Sequence, residues 1–390
     1  MDLFLLSEEH KIIQQTAREF SRKEILPKAK QLDETGLFPS EIISKLSEMG
    51  FMGMMVPEKY SGAGMDCLSY AIAIEEVSAG CASTGVIMSV NNSLVCAPLT
   101  VYGTEAQKQK YLIPLAKGKK LGCFALSEPG SGSDASALRT TAKKEGNSYI
   151  VNGTKNFITN GKEADVCIVF ARLETLDSAG SDPTKKHKNV SAFILEKTMP
   201  GYTVGKLEDK LGITASSTAQ IHLENVKVPI ENCLGNESDG FKIAMHTLDG
   251  GRIGIAAQAL GIASAALGEA KKFANERQAF GAPIAKLQGI QWHIADMATR
   301  LEAARLLTWK AAAKKDSGER YTKEAAMAKL YASEMAMWLT TKAIQVHGGY
   351  GYIKEYSVER HFRDAKITEI YEGTSEIQRL VIGSLELGEG

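Results

Sequence analysis

Apolar residues recur at helical spacing through the first 120 residues. Ser7 precedes two glutamates, the pattern of an N-cap residue followed by acids in the first turn, and Ile13, Ala17 and Phe20 then fall on one face. Further helices are predicted at residues 39–50, 70–77, 84–94 and 104–112, with a glycine-rich break at residues 61–64. The pattern predicts an N-terminal helical domain over residues 1–120.

The period of the pattern changes near residue 121, where short runs rich in β-branched and aromatic residues begin. Strands are predicted at residues 123–126, 149–151, 166–170, 191–195 and 221–223. Asn-Gly pairs at 152–153 and 160–161 predict turns between them. The polar, lysine-rich residues 178–189 are expected to form a solvated loop. Because no helical pattern separates these strands, the sequence predicts a compact antiparallel, β-barrel-like domain over residues 121–234.

Helical spacing returns from about Gly240 and continues to the end of the chain. Two long helices are predicted from apolar faces at Ile290, Ile294, Met297, Leu301, Ala304 and Thr308, and at Ala326, Leu330, Ser333, Met337, Thr340 and Ile344. Gly254, Gly261 and Gly268 recur every seven residues on another helix. Glycine there costs about 1 kcal/mol relative to alanine, so we expect close approach of a neighbouring helix. The sequence predicts a four-helix bundle over residues 235–390, in a chain that is α+β and mostly α.

Composition excludes several classes of protein. Lys+Arg and Asp+Glu both number 46, so the net charge of zero gives no support to nucleic acid or an anionic membrane surface as a partner. No apolar run is expected to approach a membrane span. The first nine residues are too acidic and too short in apolar length for a signal or transit peptide. We therefore expect a soluble intracellular protein that binds neither nucleic acid nor membrane.

Cysteine and histidine are scattered singly along the chain. The six cysteines form no C-x-x-C pair, and none of the seven histidines belongs to an H-E-x-x-H motif. In a chain of this length the cysteines are expected to be buried, reduced residues rather than a disulfide framework. The sequence predicts no metal site.

A glycine-rich segment at residues 130–135 matches G-x-G-x-x-A, the dinucleotide-binding fingerprint. That fingerprint needs a strand, a tight turn and then a helix. Here Pro129 precedes the glycines, and residues 140–146 return to strand and turn composition, so a Rossmann domain is rejected. The segment is interpreted either as a loop whose amides and hydroxyls contact phosphate or flavin, or as a purely structural turn.

The sequence YEGTSE at residues 371–376 combines a carboxylate with glycine and two hydroxyl residues. Glu372 could remove a proton, while the amides and hydroxyls that follow could hold an anionic group. An isolated motif of this kind is more often an exposed turn. Arg252 and His347, taken singly, are likewise more typical of a surface ion pair and of a helix-terminal histidine.

Five motifs that occur in a fixed order are together far more specific for one family than any one of them alone. They are LSEPGSGSD at 126–134, FITN at 157–160, RQAFG at 277–281, HGGYG at 347–351 and YEGT at 371–374, in a helix–strand–helix chain. On these motifs the sequence resembles the acyl-CoA dehydrogenase family over essentially its whole length, and most closely the short-chain (butyryl-CoA) dehydrogenases.

The resemblance implies a binding site for FAD between the β domain and the helical bundle, across a subunit interface of a homotetramer. The residues that would face the flavin are Phe124, Ala125, Leu126, Ser127, Glu128, Pro129, Gly130, Ser131, Gly132, Ser133, Phe157, Ile158 and Thr159. Those that would contact the FAD of a neighbouring subunit are Arg277, Gln288, Gln345, Val346, His347, Gly348 and Gly349. The same subunit would add Thr374, Ser375 and Glu376. The acyl-CoA substrate would touch Ser133, Asp249, Gly250, Gly251, Arg252 and Gly373.

The resemblance also implies the reaction. Glu372 would abstract the α-proton of a short-chain acyl-CoA, and hydride would pass from the β-carbon to flavin N5, giving a trans-2-enoyl-CoA. The Glu372 N–H and a ribityl hydroxyl would polarise the thioester carbonyl, and burial is expected to raise the pKa of Glu372. Some members carry the base immediately before the arginine that matches Arg252, where this chain has Gly251. Glu372 is therefore the base that the resemblance supports.

Several alternatives remain open at the level of sequence. Electrons are expected to pass to electron-transferring flavoprotein, but an oxidase-like enzyme that uses oxygen, or a branched-chain acyl-CoA dehydrogenase, would have a similar sequence. A non-catalytic acyl-CoA-binding relative is disfavoured because Glu372 and the flavin loop are both retained. The expected location is the cytoplasm of a bacterium or, for a processed eukaryotic form, the mitochondrial matrix.

Overall fold

The computed structural model describes residues 6–174 and 189–388. Its N-terminal helices are α1 (Glu8–Phe20), α2 (Ala29–Thr35), α3 (Ser40–Glu48), α4 (Cys67–Gly80), α5 (Ala82–Ser89), α6 (Ala97–Tyr102), α7 (Glu105–Gln107) and α8 (Ile113–Ala116). The Ser7 hydroxyl caps α1 by accepting the N–H of His10. A π-helical segment, Val90–Cys96, joins α5 to α6. The helices predicted in this part of the chain are confirmed.

The middle of the chain forms one mixed sheet. Its strands are β1 (Gly122–Ala125), β2 (Thr141–Glu145), β3 (Ser148–Thr159), β4 (Val166–Leu173), β5 (Val190–Glu196), β6 (Tyr202–Leu207), β7 (Thr218–Pro229) and β8 (Cys233–Leu234). They are ordered β6-β7-β3-β2-β4-β5-β8, with β1 also paired to β4. The sheet is not a closed barrel, and β4 pairs in parallel with both β1 and β2, which corrects the all-antiparallel prediction. The solvated loop predicted at 178–189 lies outside the described residues except for Asn189.

One predicted turn is wrong. Asn152 and Gly153 lie inside β3, where the register shifts between Val151 and Gly153 as in a β-bulge. A Cβ on Gly153 would lie 2.4 Å from Thr140 Oγ1, so glycine is required there for close packing rather than for a hairpin. The second pair does form a turn, since Asn160 directly follows β3 and has a left-handed φ of 63°. Strands β6 and β8 were not predicted.

The C-terminal part is a helical bundle. It comprises α9 (Gly240–Glu276), a short hairpin of β9 (Gln278–Ala279) and β10 (Ala282–Pro283), α10 (Gln288–Asp316), α11 (Thr322–His347), α12 (Val358–Lys366) and α13 (Ser375–Glu386). Helix α9 packs against α4, α10 and α11. The predicted fold class, helices followed by a sheet and then a helical bundle, is confirmed.

The glycines of α9 behave as predicted at two positions of three. A Cβ on Gly254 would lie 2.5 Å from both Tyr70 Oη and Ser89 Oγ, and a Cβ on Gly261 would lie 2.3 Å from the backbone oxygen of Glu75. These contacts hold α9 directly against α4 and α5. Gly268 has no heavy atom within 4 Å of its Cβ position, so the prediction of close approach is wrong there.

Two helical stretches of the described residues are long and apolar enough to cross a membrane, Ala82–Tyr102 and Gly240–Glu276. The expectation that no apolar run approaches that length is therefore wrong on length and composition. Most of the apolar window of each stretch, 83% and 72%, is buried inside the protein. A helix that is surrounded by protein can be apolar on all sides, because no side of it faces water. The six cysteines are unpaired, and all but the half-buried Cys233 are buried, as predicted.

Candidate active site

Glu372 lies in a tight turn between α12 and α13. Its φ is 51° and that of Gly373 is 93°, two consecutive left-handed residues. A left-handed conformation costs a non-glycine residue about 1 kcal/mol or more, so the surrounding structure must hold it. Thr374 then begins α13 as its N-cap, accepting the N–H of Ile377. The sequence YEGTSE thus folds into a constrained turn rather than a loose exposed one.

The Glu372 carboxylate is buried even though the residue as a whole is partly exposed. Its Oε2 is inaccessible to solvent and has no hydrogen-bond partner among the described residues. Burial raises the pKa of this carboxyl to about 8, while the cations of Lys329 and Arg252 oppose the rise. A carboxylate in this state binds a proton far more readily than an exposed glutamate does.

Gly251 lies directly beneath that carboxylate on α9. A Cβ at residue 251 would lie 1.9 Å from Glu372 Oε2 and 2.9 Å from Leu94 Cδ2. The two positions therefore compete for one volume, and only glycine at 251 leaves room for the carboxylate. A side chain at residue 251 would therefore displace the Glu372 carboxylate from the position that it has here.

Arg252 is buried beside this carboxylate and is not a surface ion pair. Its Nη1 donates to Asp249 Oδ1 at 2.6 Å, and Asp249 Oδ2 accepts the Thr322 hydroxyl at 2.7 Å. Burial lowers the pKa of Arg252, against the pull of Asp249 and Glu372. Its Nε is buried and has no partner among the described residues. A buried donor without a partner is a candidate contact for a bound ligand.

Two buried residues that the motifs did not single out fix the Glu372–Gly373 turn. Lys329 of α11 donates from Nζ to the Gly373 carbonyl at 2.7 Å, and Gln378 of α13 donates from Nε2 to the same oxygen at 2.8 Å and to the Glu372 carbonyl at 3.2 Å. Both residues are fully buried. The available sequence signal was a lysine inside the otherwise apolar run 325–330, AAMAKL.

The loop after β1 presents several of the residues predicted to face the flavin. Pro129, Gly130, Gly132 and Ser133 are exposed, and nothing lies within 4 Å of the Cβ positions of the two glycines. Others in the segment have buried positions in the fold; these are Ala125, Leu126, Glu128 and Ser131, with Phe124 and Ser127 half-buried. The loop therefore offers accessible amides and a hydroxyl along one edge.

Glu128 supports this loop from the inside. Its carboxylate accepts the backbone N–H groups of Arg139 at 2.6 Å and Thr140 at 2.9 Å, and the Nζ of Lys155 at 2.8 Å. Lys155 is fully buried and also donates to the Leu126 carbonyl. Glu128 is predicted among the flavin-facing residues, but its carboxylate points into the protein and binds these three groups. Lys155 was not found from the sequence.

Phe157 gives the same surface an aromatic face. Its side chain is 62% exposed and its φ is 58°, while Ile158 next to it is buried and Thr159 is half-buried. The Asn156 N–H donates to the Ser127 carbonyl at 2.9 Å, which fixes Phe157 next to the loop. Asn156 Oδ1 and Ser375 Oγ are buried without partners among the described residues. An exposed ring next to the exposed loop and the unpaired Asn156 Oδ1 fits a flat, polar-edged cofactor such as a flavin.

A second groove gathers the residues predicted to contact a neighbouring subunit's FAD. It has a volume of about 470 Å³ and is lined by Phe273, Arg277, Ile284, Gln345, Val346, His347, Gly348, Gly349, Tyr350 and Ile353. His347 stacks on Phe273 with ring centroids 4.3 Å apart, and burial lowers its pKa. Gln288 is exposed at the start of α10. No residue of the Glu372 turn lines this groove.

Comparison with known proteins identifies the class of molecule to which this arrangement belongs. Family models described as the N-terminal, middle and C-terminal domains of acyl-CoA dehydrogenase match residues 7–119, 123–226 and 238–385. The mitochondrial short-chain specific acyl-CoA dehydrogenase of Rattus norvegicus is 56% identical over 377 residues, covering 97% of this chain and 90% of its own. The chain therefore belongs to the acyl-CoA dehydrogenase family.

Two solved structures have the same fold along essentially the whole chain. The butyryl-CoA dehydrogenase of Megasphaera elsdenii superposes with a TM-score of 0.95 at 48% identity, covering 99% of this chain and 100% of its own. A chain from a structure titled for the electron transferring flavoprotein of Acidaminococcus fermentans superposes with a TM-score of 0.95 at 50% identity and the same coverage. As a family member, the protein is an FAD-dependent oxidoreductase that dehydrogenates acyl-CoA thioesters.

Proposed function

We propose that the protein oxidises short, straight-chain acyl-CoA of the butyryl type to trans-2-enoyl-CoA, with Glu372 as the base that removes the α-proton. The proposal rests mainly on the buried Glu372 carboxylate, whose Oε2 lies over Gly251 without a hydrogen-bond partner among the described residues and whose pKa is raised to about 8. A group with that pKa matches the requirement for a base that works near neutral pH.

The residues around Glu372 account for the remaining demands of the reaction. The α-proton of a thioester is weakly acidic, so its removal needs donors at the carbonyl oxygen. Among the described residues the Glu372 N–H has no hydrogen-bond partner, and it is free to serve as one such donor. The FAD, when bound by the loop at 127–133 with Phe157 and by Thr374, Ser375 and Glu376, supplies the acceptor for the hydride that leaves the β-carbon. Arg252, Asp249, Gly250, Ser133 and Gly373 would hold the substrate.

The preference for a short acyl chain follows from what lies beyond Gly251 on α9. One turn further along, Gly254 is already in contact with Tyr70 and Ser89. Beyond that, Gln258 is fully buried, donates to the Ala82 carbonyl at 2.9 Å and accepts the Tyr371 hydroxyl. These contacts pack α9 tightly against α4 and α5, and we propose that this packing limits the length of the acyl chain.

The proposal is tested by rates on straight-chain acyl-CoAs from C4 to C16, with branched and glutaryl thioesters included. We expect the highest kcat/KM at C4 and a decline of about tenfold or more for each few methylenes that do not fit. A maximum at C8 or above, or on a branched substrate, would contradict the short-chain assignment. Stoichiometric hydrogen peroxide during turnover would show an oxidase instead of transfer to electron-transferring flavoprotein.

The activity is expected to rise with pH until Glu372 ionises. Because burial raises the pKa of Glu372 to about 8, most of the free enzyme carries a protonated base below that pH. The value of kcat/KM should then fall about tenfold per pH unit on the acidic side and level off above the pKa. A steady-state profile with butyryl-CoA measures this, and an acidic limb in the ordinary glutamate range would contradict it.

Gly251→Ala is expected to impair the enzyme by displacing the base. The added methyl group would occupy the volume of the Glu372 carboxylate, and a displacement of about 1 Å in a reacting group can cost on the order of 10²-fold in rate. The control is Gly268→Ala on the same helix, where the Cβ position is open. That change should leave kcat unaltered and stabilise the protein by up to about 1 kcal/mol. Equal kcat values in the two variants would contradict the packing argument.

We also propose a homotetramer in which FAD is shared between subunits. The groove of Arg277 and residues 345–349 contains no residue of the Glu372 turn, which supports its use by a neighbouring subunit's cofactor. Phe280, 94% exposed at the adjacent hairpin, supports an interface there. Light scattering should give four chains per particle, and Arg277→Glu should lower FAD content.

The proposed location depends on the organism from which the protein comes. It is the cytoplasm for a bacterium and the mitochondrial matrix for a eukaryote.

A further inference from the structure

Lys329 is a fully buried lysine next to the proposed base. It lies on α11, its Nζ donates to the Gly373 carbonyl at 2.7 Å, and it forms no ion pair within 4.0 Å with a carboxylate of the described residues. Burying an ammonium group is costly unless its charge is used. The carbonyl it binds belongs to the residue after Glu372, in a turn that needs external support.

The charge of Lys329 acts mainly on Glu372. Burial lowers the pKa of Lys329 to about 8, and Glu372 is the group that most opposes this loss of charge. In return, Lys329 is the largest influence that favours the ionised form of Glu372 against burial. Other charged or titratable groups near the pair are Arg252 on α9, Glu369 before the turn, the buried Tyr371 next to Glu372, Glu376 on α13, and Tyr70 on α4. Of these, Arg252 is the other cation that favours ionised Glu372, and it is already paired with Asp249.

The Gly373 carbonyl is held from two sides. Lys329 binds it from α11 and Gln378 binds it from α13. The two donors differ in one respect that can be exploited: the lysine carries a charge and the amide does not. Their contacts fix the same atom, so loss of either should loosen the turn, but only loss of the lysine should change the charge around Glu372.

We propose that Lys329 is a positioning residue for the base: its buried ammonium holds the Gly373 carbonyl, which aims the Glu372 carboxylate over Gly251, and its charge favours the ionised, proton-accepting form of that carboxylate. The inference rests on the proposed role of Glu372. It assigns Lys329 no contact with substrate or FAD. A lysine that merely filled space between α11 and α13 would affect folding without affecting the ionisation of Glu372.

The test compares the pH dependence of kcat/KM in Lys329→Met, Lys329→Arg and Gln378→Met, each purified with FAD. Lys329→Met should lower kcat on the order of 10²-fold. It should also move the acidic limb, the pH range in which kcat/KM falls on the acidic side, to higher pH by about one unit or more, because an opposite charge close to a carboxylate favours its ionised form. Lys329→Arg should return the acidic limb to its wild-type position. Gln378→Met should lower kcat but leave the limb in place.

The control is Lys314→Met at the end of α10. Lys314 pairs with Glu324 of α11 at 2.7 Å, so this variant removes a lysine that contacts α11 without touching the Glu372–Gly373 turn. It should change neither kcat nor the limb. If Lys329→Met does not fold, Lys329→Gln replaces it, since the amide keeps a donor but removes the charge; the limb should again move upward.

An acidic limb that stays in place in a folded, neutral Lys329 variant would overturn the inference. So would a Gln378→Met variant whose limb moves as far as that of Lys329→Met. These outcomes are distinct from failure of the proposed function, which would show as near-normal turnover in Glu372→Gln whatever the Lys329 variants do.

Discussion

Glu372→Gln is expected to lose turnover of butyryl-CoA by on the order of 10⁴-fold, while FAD and acyl-CoA still bind. The amide matches the carboxylate in shape, so it fits the volume above Gly251 that admits no Cβ. It cannot accept the α-proton, and Gly251 offers no side chain to replace it. Steady-state rates, flavin content and acyl-CoA affinity measured on one preparation separate lost chemistry from lost binding.

The matched control for that variant is Glu369→Gln, three residues earlier. Glu369 pairs with Lys366 and is not part of the turn, so its variant should retain turnover within about twofold. Folding is a second control. Because folding raises the pKa of Glu372 from 4.5 to about 8, the native protein loses stability as pH rises through that range, and the glutamine variant should not show this loss. Near-normal turnover in Glu372→Gln would remove Glu372 from its role.

Lys155→Met is expected to destabilise the protein by about 3–5 kcal/mol and to strip it of FAD. The substitution leaves the Glu128 carboxylate buried with backbone donors but no counter-charge. Burial tends to raise the pKa of Glu128, and Lys155 with the two N–H groups holds it below the usual range instead. Since Glu128 is the anchor of the loop at 127–133, its loss should disorder the surface next to Phe157. Denaturant unfolding and bound flavin measure both effects.

The contrast is an exposed ion pair in the same sheet. Lys206 and Glu208 lie 2.6 Å apart, but the lysine side chain is 70% exposed, so Lys206→Met should cost less than about 1 kcal/mol. Adding Glu128→Gln to Lys155→Met removes the unpaired charge and should recover part of the lost stability. Equal effects of Lys155→Met and Lys206→Met would contradict the anchoring role of the buried pair.

Local rules predicted most of the architecture. The N-cap at Ser7 and the end of α11 at His347 followed from residue types that satisfy backbone groups at helix ends. The same rules failed at Asn152-Gly153, because a pair that favours a tight hairpin also suits a bulge where Thr140 leaves no room for a Cβ. Parallel pairing of β4 with β1 and β2 depends on contacts between distant segments and has no local signature.

The site residues that occur in sequence motifs could be predicted. The residues that support them from other segments of the chain could not. Glu372, Arg252 and the loop at 127–133 stand in recognisable sequences. Lys155 and Lys329 do not, because each is defined by a partner far along the chain, Glu128 and Gly373. The sequence does not show that these two lysines are buried. A lysine in a strand or helix is normally exposed, and only the packing of the fold shows that these two are not.

Anaerobic mixing of the FAD-loaded protein with butyryl-CoA tests most directly whether Glu372 is the base for a short acyl-CoA. If Glu372 removes the α-proton of a short acyl-CoA, the oxidised flavin absorbance should disappear and crotonyl-CoA should form in proportion to the flavin lost, while Glu372→Gln should remain yellow under the same conditions. A wild-type protein whose flavin stays oxidised with butyryl-CoA would rule out the short-chain substrate, and a Glu372→Gln variant that is bleached at the wild-type rate would rule out Glu372 as the base.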